Sequence, residues 1–206
     1  MLRQAQHDVP VYFYQTNHSD SLLKFAKITD SIFTIEDFFT RKECLDTIVR
    51  SEEVGYELAK INTASGSRTR TDIRNNSRAF YKSEELAQAL WEKLQPFVPT
   101  HLGNSTPIGL NELFRFYRYQ RGHQFKGHYD ESYVRNAQEA SYYTFMVYLN
   151  DNFQGGDTTF RGLRIQPRQG MALIFLHSLY HGGSEVTQGV KYVLRSDVMY
   201  RTEILE

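Results

Sequence analysis

Apolar and polar positions along this chain follow two different rhythms, and the change falls near residue 111. In the first half the rhythm is mixed. "SIFTIEDFF" (31–39) reads as a short strand running into a turn. Thr40 then opens T-R-K-E, with Glu43 three residues on, a capping-box pattern that begins a helix. The following C-L-D-T-I-V-R-S-E-E-V spaces its apolar residues near the helical period and predicts a helix over about 41–54. "NTASGSRTRTDIRNNSR" (62–78) is rich in Gly, Ser, Thr, Asn and Arg, and reads as a loop leading into a strand near 76–81. Ser83 with Glu84 and Glu85 makes an N-cap and an acidic first turn; the helix runs to about Gln95, where Pro96 and Pro99 end it.

From 111 onward the period becomes two. "ELFRFYRYQ", "YYTFMVYLN", "DTTFRGLRIQP", "MALIFLH" and "VKYVLRSDVMYR" alternate, or are enriched in β-branched and aromatic residues, as strands are. Glycine-bearing turns separate several of them, at Gln120–Gly122, Gly155–Gly156, Gln169–Gly170 and Gly182–Gly183. Residues 1–30 are weakly patterned and read as a peripheral arm. Residues 31–110 read as helical support with a loop region, and 111–200 as a β core, together one domain over 1–206. The class is α+β with a mainly β core, helices packed against an antiparallel sandwich or barrel.

Composition narrows this picture without redirecting it. A chain of 206 residues is long enough for one substantial core. The 24 basic and 24 acidic side chains cancel, so no global field favours nucleic acid or an anionic membrane. Fourteen Tyr and fourteen Phe favour strands over helices. The lone Cys44 excludes an intrachain disulfide framework. No segment approaches the roughly 20 apolar residues of a membrane span, and the N-terminus lacks a signal-peptide core. The expectation is a soluble, cytoplasmic protein with no nucleic-acid or membrane partner.

Candidate chemistry begins at "GHYDES" (127–132), where His128 and Asp130 stand two apart at the end of a strand-like run. Such residues project to one face, with Tyr129 on the other. Alone, the pair reads as surface polarity at a strand end. A non-haem Fe(II) site, however, needs two histidines and one carboxylate on one side of the metal. His7, His18 and His101 lie in poorly patterned surroundings, and His123 falls in a turn. His177 and His181 follow the apolar run "MALIFL", and either closes the triad if the strands are antiparallel neighbours. The loop arginines Arg68, Arg70, Arg74 and Arg78 are locally basic and read as a solvated loop, above all at Arg68 and Arg70, or as a rim over the substrate; 131–141 is a second candidate rim, and either sets substrate choice. No G-x-G-x-x-G or P-loop is present.

The C-terminal half resembles the catalytic domain of the Fe(II)/2-oxoglutarate dioxygenases, most closely their prolyl 4-hydroxylase-like branch. The resemblance rests on Y-R-Y-Q-R-G-H-Q-F-K-G-H-Y-D (117–130), Y-L-N-D-N-F-Q-G-G-D-T-T-F (148–160), P-R-Q-G-M-A-L-I-F (167–175) and H-G-G-S-E-V-T-Q-G-V-K-Y-V-L-R-S-D-V-M-Y (181–200), in that order. It implies a double-stranded β-helix, or jelly roll, with the N-terminal helices supporting one sheet. It implies His128, Asp130 and His181 as iron ligands, with His177 outside the ligand set. It implies Lys191 as the cation for the far carboxylate of 2-oxoglutarate, and Tyr119 and Tyr148 as further contacts to that co-substrate. Arg195 shares the face of Lys191 and is its rival for the carboxylate, or a second cation for an acidic substrate.

The implied activity is hydroxylation of an unactivated C–H coupled to oxidative decarboxylation of 2-oxoglutarate. Fe(II), 2-oxoglutarate and O2 are the implied cofactors, with ascorbate as a further one. The first reading is a peptidyl prolyl hydroxylase. The second is a hydroxylase of a free amino acid or other small metabolite. A third, of another class, is a non-catalytic jelly-roll binding protein, against which the intact ligand set counts.

Overall fold

The computed structural model describes residues 11–15, 22–59, 61–63, 66–68, 70 and 72–203. His7, His18 and the side chain of Arg68 lie outside the described residues.

The first half runs β1 (Val11–Gln15), β2 (Leu22–Thr29), β3 (Ile32–Glu36), α1 (Arg41–Val54), β4 (Glu57–Leu58), β5 (Ile61–Thr63), β6 (Gly66–Arg68), β7 (Ser77–Lys82) and α2 (Glu84–Leu94). The second runs β8 (Ser105–Leu110), β9 (Leu113–Tyr119), β10 (Phe125–His128), β11 (Glu139–Tyr148), β12 (Gln154–Gly155), β13 (Thr158–Phe160) and β14 (Leu163–Ile165). It closes with β15 (Ala172–Leu176), β16 (His181–Gly183), β17 (Val186–Gln188) and β18 (Lys191–Thr202). Both helices start where their caps predict. Thr40 Oγ accepts from the Glu43 amide at 3.2 Å, while the Glu43 carboxylate reaches back to the Thr40 amide. Ser83 accepts from the Leu86 amide at 3.1 Å. No helix among the described residues is long and apolar enough to cross a membrane.

Two antiparallel sheets form the body, the jelly-roll arrangement. The larger has the order β1-β2-β3-β15-β11-β18-β9-β7-β4, with β8 also paired to β18. The smaller has the order β10-β16-β13-β14. Period-two alternation divides the large sheet's side chains between two cores. Phe114, Phe116, Phe145, Val147, Ile174 and Leu194 point to the side where Ala87, Leu90 and Leu94 of α2 pack. The intervening positions Tyr117, Tyr119, Tyr148, Leu173, Phe175 and Val193 face the other way, into a core shared with Ile165 and Val186. The first side supports; the second holds the chemistry.

Three local expectations differ from the structure. Leu22–Thr29, weakly patterned and assigned to a peripheral arm, is a strand of the large sheet paired with β3. The 62–78 loop contains a small hairpin, β5 against β6. Gly182 and Gly183 make no turn: they lie inside β16, between β10 and β13. A Cβ on Gly182 would sit 3.0 Å from the Phe125 carbonyl oxygen, so glycine here permits close backbone approach.

Candidate metal centre

Antiparallel pairing of β10 with β16 sets His128 directly opposite His181. The imidazole centroids are 4.3 Å apart. Asp130, just past the end of β10, sends its carboxylate between them: Oδ1 is 3.6 Å from His128 Nε2 and Oδ2 is 3.4 Å from His181 Nε2. One donor atom from each residue lies within 4.8 Å of the other two. Both rings are oriented by the same local device, a 2.9 Å hydrogen bond from Nδ1 to the carbonyl two residues earlier, Lys126 for His128 and Leu179 for His181. With Nδ1 donating, Nε2 keeps its lone pair and faces the carboxylate. His128 Nε2 is buried with no hydrogen-bond partner among the described residues.

The surroundings hold these groups in ligating charge states. Burial pushes His181 down to about 4, so its ring is neutral near pH 7. Burial alone would raise Asp130, but the Arg195 guanidinium, His128, His181 and Thr144 together hold its carboxyl well below the usual range. Arg195 donates to Asp130 Oδ1 at 2.9 Å, and Thr144 Oγ to Oδ2 at 2.5 Å. The Asp130 amide donates to the His177 carbonyl at 3.3 Å. The His177 ring is turned away from the triad, with Nε2 3.6 Å from Asp197.

Lys191 lines the same cavity as His128 and His181, together with Tyr119, Thr158, Val193 and Arg195. It is only 3 % exposed. Its ammonium donates to the Gly156 carbonyl at 2.5 Å and lies 5.4 and 5.1 Å from the ring centroids of Tyr119 and Tyr148. It forms no ion pair among the described residues, and burial brings it down to about 7. Tyr119 is its register partner on β9, with a phenol pushed up by burial to about 12. Tyr148 stands behind the wall, fully buried, its hydroxyl 2.6 Å from Thr158 Oγ. Arg195 differs from Lys191 in having carboxylates already: besides Asp130 it reaches Asp197 Oδ1 at 3.4 Å.

Residues 114–196 match the 2OG-Fe(II) oxygenase superfamily. They are a 2OG-Fe(II) oxygenase domain. Among curated proteins, the chain is similar to prolyl 4-hydroxylase 1 of Arabidopsis thaliana, 24% identical, the match covering 78% of this chain and 66% of that protein. The chain thus spans just under two thirds of that relative's length. Among solved structures, the viral collagen prolyl hydroxylase of Paramecium Bursaria Chlorella virus-1, a 2OG complex, superposes with a TM-score of 0.59 at 18% identity, covering 84% of this chain and 97% of that one. A Trichoplax adhaerens prolyl hydroxylase, in complex with a hypoxia inducible factor peptide, gives 0.65 at 18% identity over 84% of both chains. These likenesses establish the jelly-roll fold.

The cofactors of an oxygenase domain of this kind are Fe(II) and 2-oxoglutarate, and the residues present fit both. Two lone-pair nitrogens and a carboxylate on one side of a small space are the donor set that suits non-haem Fe(II). A buried ammonium with no carboxylate of its own suits the far end of a dicarboxylate.

Three features of the oxygenase domain were not read from sequence. Asp197 accepts from Arg115 at 2.8 Å and faces Arg195 and His177, tying the strand behind the triad together. Its only sequence signal was sharing the β18 face with Arg195. Thr158, at the cavity wall, gave none. The third, the way the two candidate rims meet, is a cleft of about 390 Å³ outside the triad, where Arg74 and Arg78 of the basic loop join Arg115, Tyr117 and Phe125, with Tyr129–Tyr133 at its rim. Tyr117, Phe125, His128 and Arg195 belong to both this cleft and the inner cavity, so the two are continuous. Of the loop arginines, Arg70 is exposed and pairs with Asp72. Arg74 is carried inward because Ile73–Asn76 runs along β10: Lys126 donates to the Ile73 carbonyl, and Gln124 to Asn75 Oδ1 at 2.7 Å.

Proposed function

We propose that this chain is an Fe(II)- and 2-oxoglutarate-dependent hydroxylase that acts on a prolyl residue of a peptide, with His128, Asp130 and His181 holding the iron. The observation that carries the reading is the convergence of His128 Nε2 and His181 Nε2 on Asp130, at 3.6 and 3.4 Å, in a cavity that also contains the buried Lys191. Bound there, Fe(II) would activate O2, the oxidant whose two oxygen atoms go to succinate and to the hydroxylated C–H as 2-oxoglutarate loses CO2.

The chain's own residues bind, orient and exclude water. Lys191 neutralises the far carboxylate of 2-oxoglutarate, while Tyr119 and Thr158 bound the space the co-substrate fills. Tyr148 braces Thr158 through its hydroxyl. Arg195 holds the Asp130 oxygen that faces His128, and so orients the carboxylate rather than competing with Lys191. The prolyl assignment draws on relatives named prolyl 4-hydroxylases and on the neighbour that holds a peptide.

The test is iron- and 2-oxoglutarate-dependent succinate release, with a peptide library and free amino acids scored for gain of one oxygen by mass spectrometry. His128→Ala is expected to abolish both signals while leaving the fold intact. Succinate release that survives this substitution would remove His128 from the ligand set. Bound iron with no turnover of any substrate would favour a non-catalytic binding protein.

A further inference from the structure

Arg74 is a buried cation without an anion. Its side chain is 6 % exposed, and among the described residues it forms no ion pair. Nε donates to Asn76 Oδ1 at 2.7 Å, but Nη2 is buried with no hydrogen-bond partner among the described residues. The guanidinium lies against two rings, 4.6 Å from the Tyr117 centroid and 4.3 Å from that of Phe125. Phe125 in turn stacks on His128 at 3.6 Å, so Arg74 lines the cleft one ring away from the triad. Cation–π contact offsets part of the desolvation of a guanidinium, yet it does not satisfy the N–H groups of Nη2. A buried charge in this state is costly unless a partner arrives.

The rest of the cleft carries more positive than negative charge. Arg78, Arg115 and Arg195 line it too. Against these four arginines the lining has two carboxylates, Asp130, which Arg195 and the histidines already engage, and Glu131; Glu57 is 3.7 Å from Arg78, and Asp197 is shared by Arg115 and Arg195. Burial alone would raise the Tyr117 phenol, but Arg195, Arg74 and Arg115 outweigh it and bring it below its ordinary value, which reports the sign of the field.

We infer that the cleft outside the triad is an anion subsite, in which the Arg74 fork takes a carboxylate carried by the substrate beside the carbon to be hydroxylated. This rests on the hydroxylase reading for what the ligand is, and goes beyond it by requiring an acidic substrate. A planar guanidinium pairs with a carboxylate through two parallel hydrogen bonds, and Nη2 offers one of the needed donors. The carboxylate comes either from an Asp or Glu next to the target proline in a peptide, or from the α-carboxylate of a free amino acid or C-terminal residue.

The experiment is a binding comparison on the full chain loaded with Fe(II) and 2-oxoglutarate under anaerobic conditions. The probes are proline peptides flanked by Asp or Glu, the same peptides with Asn or Gln, free proline, and prolinamide. At least one carboxylate probe is expected to bind ten-fold or more tightly than its neutral partner. Arg74→Gln is expected to remove that preference and leave 2-oxoglutarate affinity within two-fold of the parent, while Arg74→Lys restores it in part. Preference for acidic peptides assigns the side-chain source; preference for proline over prolinamide assigns the α-carboxylate. Equal binding of charged and neutral probes, no binding of any carboxylate probe, or a preference that survives Arg74→Gln overturns the inference. If Arg74→Gln does not fold, the wild-type comparison decides alone. Oxygen gain by mass spectrometry on the same probes is read separately. Its failure with the carboxylate preference intact would sink the hydroxylase reading and leave the subsite standing.

Discussion

A lysine at 3 % exposure has given up most of its hydration, and its ammonium receives in return the Gly156 carbonyl and the rings of Tyr119 and Tyr148, none of them an anion. Its folded value of about 7 lies below the 10.5 of a free lysine. The unfolded chain therefore binds more protons between those values. The stability cost of the buried charge is fully present below pH 7 and is relieved as pH rises through that window. Co-substrate binding carries the opposite sign, because the dicarboxylate needs the protonated amine. Its affinity is expected to fall about ten-fold per pH unit above pH 7, until the bound complex in turn loses the proton. Titration calorimetry across pH 6–9 measures this slope. Lys191→Met should flatten it and weaken 2-oxoglutarate by roughly two to four orders of magnitude, the roughly 3–5 kcal/mol typical of breaking a buried pair, with iron affinity nearly intact. A 2-oxoglutarate affinity unchanged in Lys191→Met would assign the carboxylate to Arg195. At this scale the sequence was informative where residues are local. His128 and Asp130 were legible two apart, and Lys191 through its family spacing. Asp197 was not, because its contacts are with strands distant in the chain, and Arg74 was legible only as one of four arginines in a basic loop.

At the scale of elements, helix boundaries were the most legible part of the fold. Their signals, at Thr40 with Glu43 and at Ser83, are local hydrogen bonds written in adjacent residues. Strand β16 was not legible. Three residues beginning H-G-G carry no alternation, and the glycines that mark a turn in one context permit close strand approach in another. That closeness makes β16 sensitive. Gly182→Ala would place a methyl 3.0 Å from the Phe125 carbonyl and 3.2 Å from the Gly127 amide, prising apart the two strands that hold the histidines. Iron affinity is expected to fall by roughly ten-fold or more, the scale of misaligned ligand supports. Fe(II) titration compared with the thermal midpoint checks it. An affinity at the parent value would show that β10 and β16 can separate without moving the ligands.

For the molecule as a whole, the two faces of the large sheet divide labour, one packed under α2 and the other turned to the triad. The family's fold was legible only through ordered motifs across 117–200. Strand pairing itself is non-local, and β2 was missed because its place in the sheet depends on β3. With Asp130 already bonded to Arg195 and Thr144, the protein is expected to remain folded without metal. Removing Fe(II) with a chelator should lower the melting midpoint by roughly 5–10 °C, as expected from about 2.7 kcal/mol of linkage at a hundred-fold excess over Kd. Unfolding at ambient temperature on chelation would mean that the triad carries the fold as well as the chemistry.

Strand β18 presents Lys191, Arg195 and Asp197 on one side of a single twelve-residue strand, held between β11 and β9. A one-residue insertion or deletion before Lys191 that shifted the strand's pairing would turn all three toward α2 at once. Arg74, Arg78 and Arg115 of the outer cleft sit on separate strands and loops, and can be exchanged singly. Descent should therefore be uneven across this molecule: lineages can drift in what they accept at the mouth, while the interior charges are inherited as one indivisible unit.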